Sequence, residues 1–279
     1  MKFYGDYHTH SRYSDGRQSI TEIALAAEQR GLKEVAVTDH GPDVAVIGVK
    51  HERHYLQIKD EVKAINEAGQ FAVEMFVGAE ANIRDLEGSL DISYNIIKEL
   101  DLLIAGLHPY TLPASIDDGI KIWLQNSLRH LGKAQQEKAK NANTKASCEA
   151  LYRNPEVEIL AHPGLFFEVE MEEIARACIK NEVLFEINCG HEHPVLSDII
   201  KAERIGVDFI IDSDAHFPET VGELSYGEYI VNRLGIDSAR VINGWDGGGN
   251  QYDRTDEQSA CTNYYRFIRS RKNPDHKLS

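Results

Sequence analysis

The chain has 279 residues, of which 42% are hydrophobic, and this length suits one barrel-sized domain or two smaller ones. Its 45 acidic residues exceed its 30 basic residues and give a formal charge of −15 at pH 7. This charge argues against non-specific nucleic-acid binding, which requires a basic surface. It does not exclude an anionic substrate, because bound metals can invert the sign of a pocket.

The sequence shows no signal for export or for membrane insertion. Met1 and Lys2 lead into a short strand without an apolar signal region, and no run approaches the roughly 20 apolar residues of a membrane span. The four cysteines form neither a Cys-x-x-Cys pair nor a dense framework. We therefore expect a cytoplasmic protein with reduced thiols and no membrane partner, and the sequence leaves its oligomeric state open.

Strand-like apolar runs alternate with helical patterns as far as about residue 243. Seven strands are predicted, at residues 2–7, 34–38, 75–79, 102–107, 157–161, 183–187 and 207–211. Helices are predicted between them, near 19–30, 54–68, 93–100, 121–152, 170–180 and 198–204. The first helix begins with a Ser-x-x-Glu capping box, and a final short strand is predicted at 240–243.

This alternation of short, buried strands with helices is typical of a parallel sheet in an α/β fold. Polar, chemically capable side chains lie at the C-terminal ends of nearly all the strands. In a closed barrel these ends converge on one mouth, whereas in an open sheet several would lie too far apart to share a site. We therefore predict one TIM-like barrel domain over residues 1–243, followed by an irregular, mobile tail over 244–279.

The strand-end side chains have the chemistry of metal ligands. They are His8, His10, Asp15, His40, Glu80, His108, His162, Asp214 and His216. Side chains two residues apart on an extended segment point the same way, so each His-x-His or Asp-x-His pair can face one site. Six imidazoles and three carboxylates are too many for one ion but suit two or three. This ligand set is appropriate for Zn, Fe or Mn.

The same residues belong to short motifs that occur in a fixed order along the chain. These are His8-Thr9-His10-Ser11, Ser14-Asp15-Gly16, Thr38-Asp39-His40-Gly41, Gly78-Ala79-Glu80-Ala81-Asn82-Ile83, Gly106-Leu107-His108, Ala161-His162-Pro163-Gly164 and Ser213-Asp214-Ala215-His216. Together they resemble the PHP (polymerase and histidinol phosphatase) superfamily. The resemblance implies a distorted (β/α)7 barrel with a trinuclear metal centre and phosphoesterase activity.

The resemblance also implies how the ligands are shared among two to three divalent metals. The first metal would take His8, His10, Glu80 and Asp214. The second would share Glu80 as a bridge and add His108 and His162. The third would take Asp15, His40 and His216. Some trinuclear relatives have histidine where this chain has Asp15, and an oxygen ligand there shifts the preference of the third site toward Mn or Fe.

A metal cluster suits phosphoester cleavage, because it lowers the pKa of a bound water and neutralises charge on the phosphoryl group. We expect in-line attack by a metal-bridging hydroxide on a small phosphorylated metabolite, as in histidinol phosphatase. Asp214, His216 and Asp39 are the catalytic candidates, with His216 or Asp39 orienting water or the leaving group. Asp39 is equally suited to fixing a ligating imidazole.

Cations near the barrel mouth are candidate phosphate ligands, since guanidinium can contact phosphate through two hydrogen bonds. They are Arg12, Arg17, Arg53 and Arg84, together with Lys50. Four residues after the sixth strand are candidate pocket walls, namely Glu186, Asn188, His191 and His193. The His191-Glu192-His193 segment is also typical of an exposed loop.

Two other functions fit parts of the pattern. Amidohydrolase-like C–N hydrolases also open with His-x-His, but no candidate metal-bridging lysine lies at the end of the fourth strand, where His108 is found. The chain could also be a non-catalytic, metal-stabilised module, as PHP domains can be inside polymerases. Against that function, all nine ligand positions are filled and no polymerase region is attached.

Overall fold

The computed structural model describes residues 1–245, which contain nine β-strands. They are β1 (Lys2–Phe3), β2 (Gly5–Asp6), β3 (Glu34–Val37), β4 (Glu74–Asn82), β5 (Leu102–Gly106), β6 (Ile159–Leu160), β7 (Leu184–Asn188), β8 (Phe209–Asp212) and β9 (Gly244–Trp245). Strands β2 to β8 form a seven-stranded parallel sheet in which neighbours in sequence are neighbours in space. This order confirms the predicted (β/α)7 TIM-like barrel.

The connections between the strands carry the helices. They are α1 (Ile20–Gln29), α2 (His54–Ala68), α3 (Tyr94–Ile97), α4 (Ile116–Asp118), α5 (Gln125–Ser127), α6 (Lys133–Arg153), α7 (Met171–Asn181), α8 (Leu196–Ile205) and α9 (Ser225–Leu234). A π-helix at Gly119–Leu124 and short 3-10 helices at Arg129–Leu131, Pro218–Thr220 and Ser238–Arg240 complete the set. The predicted capping box is present, since the Ser19 hydroxyl accepts from the Glu22 amide at 3.3 Å and the Glu22 carboxylate accepts from the Ser19 amide at 2.7 Å.

Several elements differ from the sequence prediction. The predicted helix over 121–152 is interrupted at Gly132, whose φ of 131° no helical residue adopts. Strand β4 continues to Asn82, because Gly78–Asn82 pairs with β5, so Glu80 lies inside the strand rather than after it. Helix α9 was not predicted, and the predicted strand at 240–243 is absent from the described structure, where only Val241 forms a bridge, to Phe209.

The strands present one face to the helices and the other to the barrel interior. Side chains such as Val35, Leu103 and Phe185 belong to the large core shared with the helices. A second buried cluster, which includes Phe76 and Leu184, fills the interior. By alternation along β4 and β7, the inward row continues from these apolar residues to Glu80, Asn82, Glu186 and Asn188. The interior is therefore apolar at the strand beginnings and polar at the strand ends.

The barrel closes between β2 and β8 through side chains as well as backbone. The Tyr7 amide donates to Asp212 Oδ1 at 2.7 Å, and the Ser213 amide donates to Asp6 Oδ1 at 3.0 Å. Beyond these crossed contacts, Thr9 and Ala215 form a parallel bridge. Burial raises the pKa of both carboxyl groups, and their mutual proximity adds to the increase at Asp212. The closure brings the His-x-His segment beside the Asp-x-His segment.

Regular structure extends two residues beyond the predicted domain boundary at 243. Strand β9 pairs antiparallel with β1, with Lys2 opposite Trp245. The rest of the predicted tail, residues 246–279, lies outside the described residues, so the boundary and the mobility of the tail stay predictions. Within residues 1–245, no helix combines the length and the apolar character that crossing a membrane requires.

Candidate metal centre

The predicted ligands converge at the C-terminal ends of the strands. Three groups have ligand atoms that all lie within 4.8 Å of one another: His8, His10 and Glu80; His40, Glu80 and His108; and His10, Asp15, His40 and His216. All of these side chains are buried except those of Asp15 and His216, which are partly exposed. Seven of the nine predicted ligands therefore belong to these overlapping groups, and Asp214 and His162 lie against them.

Glu80 is fully buried and lies at the centre of the cluster. Its Oε2 is 3.3 Å from His8 Nε2 and 2.8 Å from His40 Nδ1. Its Oε1 is 2.9 Å from His162 Nε2 and 3.1 Å from His108 Nε2. The two carboxylate oxygens thus face different sets of imidazoles, which is the arrangement that a bridging ligand requires.

Asp214 and His162 complete the inner part of the site. Asp214 Oδ1 lies 3.0 Å from His10 Nε2 and 3.6 Å from His8 Nε2. The backbone of both residues is left-handed, with φ of 54° at Asp214 and 27° at His162. Such conformations cost of order 1–3 kcal/mol for a residue with a side chain and are concentrated at functional sites. The fold therefore holds both side chains in place against a local backbone cost.

Asp15 lies at the more exposed side of the cluster. Its Oδ2 is 3.3 Å from His216 Nε2, and its Oδ1 is 3.9 Å from His40 Nε2 and 4.0 Å from His10 Nδ1. His10 and His40 each present one ring nitrogen to this group and the other to the inner groups. The family resemblance assigned each of them to a single metal, and the geometry allows each to serve either of two neighbouring metals.

The residues fit divalent transition metals. Ligand atoms about 2.1 Å from one metal lie roughly 3.0–3.5 Å from each other. His8 Nε2 and Glu80 Oε2 are 3.3 Å apart, are both buried, and make no hydrogen bond within the described part of the chain. Buried polar atoms rarely lack such a partner, and a shared metal would supply one. Imidazole and carboxylate together are the ligand set of Zn, Fe and Mn.

The electrostatics of the cluster also suit metal binding. Burial raises the pKa of Glu80, but the surrounding imidazoles, His40 first, outweigh it and hold this pKa well below its usual value. The pKa of Asp214 is likewise well below its usual value, because His8 and His10 outweigh burial. Burial and the neighbouring His216 and His40 lower the pKa of His10 to about 3. Ionised Glu80 and Asp214 and a neutral His10 are in the protonation states that metal ligands need. At His8, His40 and His162 the nearby carboxylates outweigh burial and raise the pKa.

Two inward-facing residues orient the candidate ligands from behind. Glu186 Oε1 is 2.6 Å from His8 Nδ1, and its Oε2 accepts from the His162 amide at 2.6 Å. Asn82 Oδ1 is 2.7 Å from His108 Nδ1. The sequence prediction placed Glu186 only in a pocket wall and gave Asn82 no role. Asn82 lies two residues after Glu80 on β4, and Glu186 lies two residues before Asn188 on β7, so both belong to the inward-facing rows. This spacing is the sequence signal that could have identified them.

The Asp39 carboxylate forms its hydrogen bonds with two serines of the loop after His10, and none of these bonds reaches an imidazole. The carboxylate accepts from the Ser11 amide at 2.7 Å, from the Ser11 hydroxyl at 2.6 Å, and from the Ser14 hydroxyl. These contacts fix the loop between His10 and Asp15. They differ from the predicted contacts with an imidazole, a water or a leaving group, and the catalytic role of Asp39 stays a prediction.

Two of the five predicted phosphate ligands form ion pairs within the protein, and the other three are exposed. Arg12 forms an ion pair with Glu22 at 3.0 Å. Arg84 pairs with Asp43 at 2.9 Å and donates to the Leu112 carbonyl at 3.1 Å. The other three cations are exposed, namely Arg17, Arg53 and Lys50. Arg12 and Arg84 already serve protein contacts, so binding of phosphate by any of the five stays a prediction.

The loop after β7 reaches the site, although its sequence is also typical of an exposed loop. His191 Nε2 lies 3.4 Å from Asp214 Oδ2. His193 instead lies near the Pro163 carbonyl, 3.1 Å from its Nε2. Phe166, which the sequence prediction did not identify, places its ring centroid 5.7 Å from that of His108 and 5.6 Å from that of His162. His191 and Phe166 thus form one wall of the site.

Comparisons with known proteins agree with this geometry. The PHP domain family model matches residues 6–190. A protein named "Probable phosphatase" from Thermoanaerobacter sp. (strain X514) is 31% identical over 253 residues, covering 87% of this chain and 91% of the relative. A relative of the same name from Clostridium novyi (strain NT) is 28% identical over 254 residues, covering 87% and 91%.

The fold also matches a solved structure. Histidinol phosphate phosphatase from Lactococcus lactis subsp. lactis Il1403, crystallised with zinc, L-histidinol and phosphate, superposes with a TM-score of 0.58. The match covers 85% of this chain and 95% of that protein, at 17% sequence identity, and so concerns the fold alone. From the family match, the related sequences and the ligand cluster at the barrel mouth, we conclude that this chain belongs to the PHP family.

Proposed function

We propose that the protein is a metal-dependent phosphoesterase that hydrolyses a small phosphorylated metabolite by in-line displacement, in the manner of a histidinol phosphatase. The observation that carries this proposal is the buried Glu80 carboxylate, whose two oxygens face separate groups of imidazoles. The relatives named as phosphatases support hydrolysis of a phosphate ester. The histidinol phosphate phosphatase with zinc, L-histidinol and phosphate supports a small substrate.

The residues that would hold the metals are the nine predicted ligands, and the metals would be two or three Zn, Fe or Mn ions. When bound, such ions supply a nucleophile at neutral pH and offset the charge of the phosphoryl oxygens. Glu80 would be shared between the inner positions, and Asp214 would join His8 and His10 at one of them. Asp15 and His216, which are partly exposed, would form the position nearest to solvent.

His216 is fixed by its own loop. Its Nδ1 lies 2.8 Å from the Asp214 carbonyl, to which it can donate, and its Nε2 then faces Asp15 at 3.3 Å. Burial lowers the pKa of His216, but Asp15 and Asp214 outweigh it and raise this pKa to about 9. These contacts orient the ring for a ligand role at the outer position. We also propose that His216 orients water or the leaving group.

Metal analysis combined with a phosphomonoester panel tests the function. We expect two to three transition metals per purified chain and turnover of at least one phosphomonoester. Asp214→Ala and His162→Ala should abolish turnover, because each removes a buried ligand of the inner positions. His130→Ala, which removes an exposed histidine far along the chain from the motifs, should retain full activity.

Two results would contradict the proposal. A metal-loaded protein that hydrolyses no phosphoester in a broad panel would favour a non-catalytic module. Hydrolysis of amides without hydrolysis of phosphates would favour the amidohydrolase-like alternative.

The cytoplasmic location stays a prediction, supported by Cys148, Cys178 and Cys189, which are free thiols in the described part of the chain.

A further inference from the structure

A buried carboxylate outside the ligand set, Asp91, is connected to the metal centre through Asn82. Asp91 Oδ1 accepts from the Asn82 amide at 2.7 Å, and Asp91 Oδ2 accepts from Asn82 Nδ2 at 2.6 Å. Asp91 Oδ2 also accepts from the Asp43 amide at 3.0 Å. Asp91 is not among the predicted site residues. It lies in the loop after β4 and is 7% exposed.

These contacts determine which way the Asn82 amide points. An amide oxygen placed against the Asp91 carboxylate would be repelled, whereas the amide NH2 can donate to it. The Asn82 oxygen is therefore directed away from Asp91 and lies 2.7 Å from His108 Nδ1. An amide oxygen can only accept, so His108 Nδ1 must carry a hydrogen. In a neutral imidazole the other nitrogen then has a free lone pair.

The free nitrogen of His108 faces the centre of the site. His108 Nε2 is 3.1 Å from Glu80 Oε1 and 3.4 Å from His162 Nε2. We propose that Asp91 is a positioning residue that, through Asn82, holds His108 in its Nδ1–H tautomer and so presents an unprotonated Nε2 to the metal centre. The proton on Nδ1 follows from the contact with Asn82 Oδ1. Glu80 Oε1 is also an acceptor and favours a proton on Nε2 in metal-free protein, so the use of Nε2 in metal binding rests on the proposed ligand role of His108.

The same carboxylate also fixes the segment after His40. A Cβ atom at Gly41 would lie 2.2 Å from the Asp91 carboxylate oxygens, so only glycine allows this close approach. Together with the bond from the Asp43 amide, it ties the loop that follows β3 to the end of β4. Asp91 therefore contacts both the segment that follows His40 and the Asn82 amide that faces His108.

Asp91→Asn in the full chain tests the proposal, because the carboxamide that it introduces offers one acceptor oxygen where the carboxylate offers two. In 15N-histidine-labelled, metal-free protein, wild-type His108 should show a protonated Nδ1. We expect the variant to show both tautomers, and its affinity for Zn²⁺ or Mn²⁺ at the site to fall by about 10–100-fold. Asp85→Asn is the matched control, since Asp85 is equally buried and, among residues 1–245, its carboxylate accepts only from the nearby Glu87 and Ser89 amides.

Asn82→Leu provides a second variant, which keeps Asp91 but removes the acceptor from His108, and it should lose the fixed tautomer in the same way. The proposal is overturned if Nδ1 of His108 is unprotonated in the wild type, or if Asp91→Asn retains the Nδ1–H form as fully as the wild type. The proposed phosphoesterase function can fail separately. An absence of turnover in a wild-type protein with the expected tautomer would contradict that function and leave the role of Asp91 supported.

Discussion

Glu34 is a buried carboxyl group at the start of β3, at the opposite end of the barrel from the metal centre. Its Oε2 accepts a hydrogen bond from the Tyr7 hydroxyl, whereas its Oε1 has no hydrogen-bond partner among residues 1–245. Burial raises the pKa of Glu34 to about 7, and the Tyr7 contact only partly opposes this. The group is therefore neutral in the folded protein over a pH range in which it is ionised in the unfolded chain.

This difference predicts a loss of stability as the pH rises. Below the unfolded pKa of about 4.5 the stabilisation is fully present, and it is lost as the pH rises through the folded pKa of about 7. Glu34→Gln removes the ionisation. Relative to wild type, the free energy of unfolding of the variant should rise by about 1–3 kcal/mol between pH 5 and pH 8, measured by urea denaturation.

Glu137→Gln is the control for Glu34→Gln, because Glu137 is an exposed carboxylate of helix α6. It should show little change across the same pH range. A difference between Glu34→Gln and wild type that is constant from pH 5 to pH 8 would show that Glu34 does not titrate in this range.

At the scale of single elements, helix α9 depends on a glycine at its third position. A Cβ atom at Gly227 would lie 2.1 Å from Ile211 Cγ2 and 3.3 Å from Cys189 Sγ. The glycine therefore lets α9 pack directly on β8, the strand that leads to Asp214. A glycine inside a helical pattern normally weakens the prediction of a helix, which is one reason that the sequence did not indicate α9.

Gly227→Ala tests whether packing outweighs helix propensity at this position. Propensity alone favours alanine by about 1 kcal/mol, but overpacking a well-packed core typically costs about 1–3 kcal/mol. With a contact as short as 2.1 Å, we expect a net loss of stability in denaturant unfolding. Asn232→Ala, at an exposed position of the same helix, should instead be neutral or slightly stabilising. A stabilised Gly227→Ala variant would show that α9 can move away from β8 without cost.

At the scale of the whole molecule, Asn243 links the two strands between which the barrel closes. Its Nδ2 donates to the Gly5 carbonyl at 2.9 Å and to the Ile211 carbonyl at 2.6 Å, and its Oδ1 accepts from the Ile211 amide at 3.1 Å. The residue is fully buried, so water cannot take over its hydrogen bonds to these backbone groups. Asn243 thus helps to hold the His8 segment beside the Asp214 segment.

Asn243→Ala should therefore affect both stability and the metal centre. Each buried polar group that stays unpaired costs about 1–3 kcal/mol. We therefore expect the free energy of unfolding, measured in urea, to fall by at least about 2 kcal/mol. The number of metals bound per chain should also fall. Asn141→Ala, at an exposed position of α6, should change neither property. Unchanged metal content together with reduced stability would separate barrel closure from assembly of the site.

The domain boundary predicts the behaviour of a truncated chain. A protein that ends after Trp245 retains Asn243 and the β1–β9 pair. We expect it to unfold at the same denaturant concentration as the full chain and to bind the same number of metals. Truncation after Ile242 should destabilise the barrel, because it removes Asn243. Loss of metal binding on truncation after Trp245 would assign residues 246–279 to the domain rather than to a tail.

Local patterns in the sequence were sufficient to predict the architecture and most of the residues that cluster at the barrel mouth. Strands are short, apolar and followed by helices, and this periodicity does not depend on distant parts of the chain. Most candidate ligands lie at or just after the C-terminal ends of strands, and Glu80 lies in the last three residues of β4. Because the ends of parallel strands meet at one mouth, the convergence of His8, Glu80 and Asp214 could be predicted without coordinates. The interruption at Gly132 and the existence of α9 were not predicted: the first follows from the φ of 131° at Gly132, and the second depends on the packing of Gly227 against β8.

What only the tertiary structure decided is how the ligands are held and shared. His10 and His40 each face two groups, Asp39 holds a loop, and Arg84 pairs with Asp43. The sequence by itself determined the types of candidate ligand and their order along the chain, since these follow from residue identity and strand period. It could not determine the partners of Glu186, Asn82 and Asp91, because hydrogen bonds between residues far apart in sequence depend on the register and closure of the barrel.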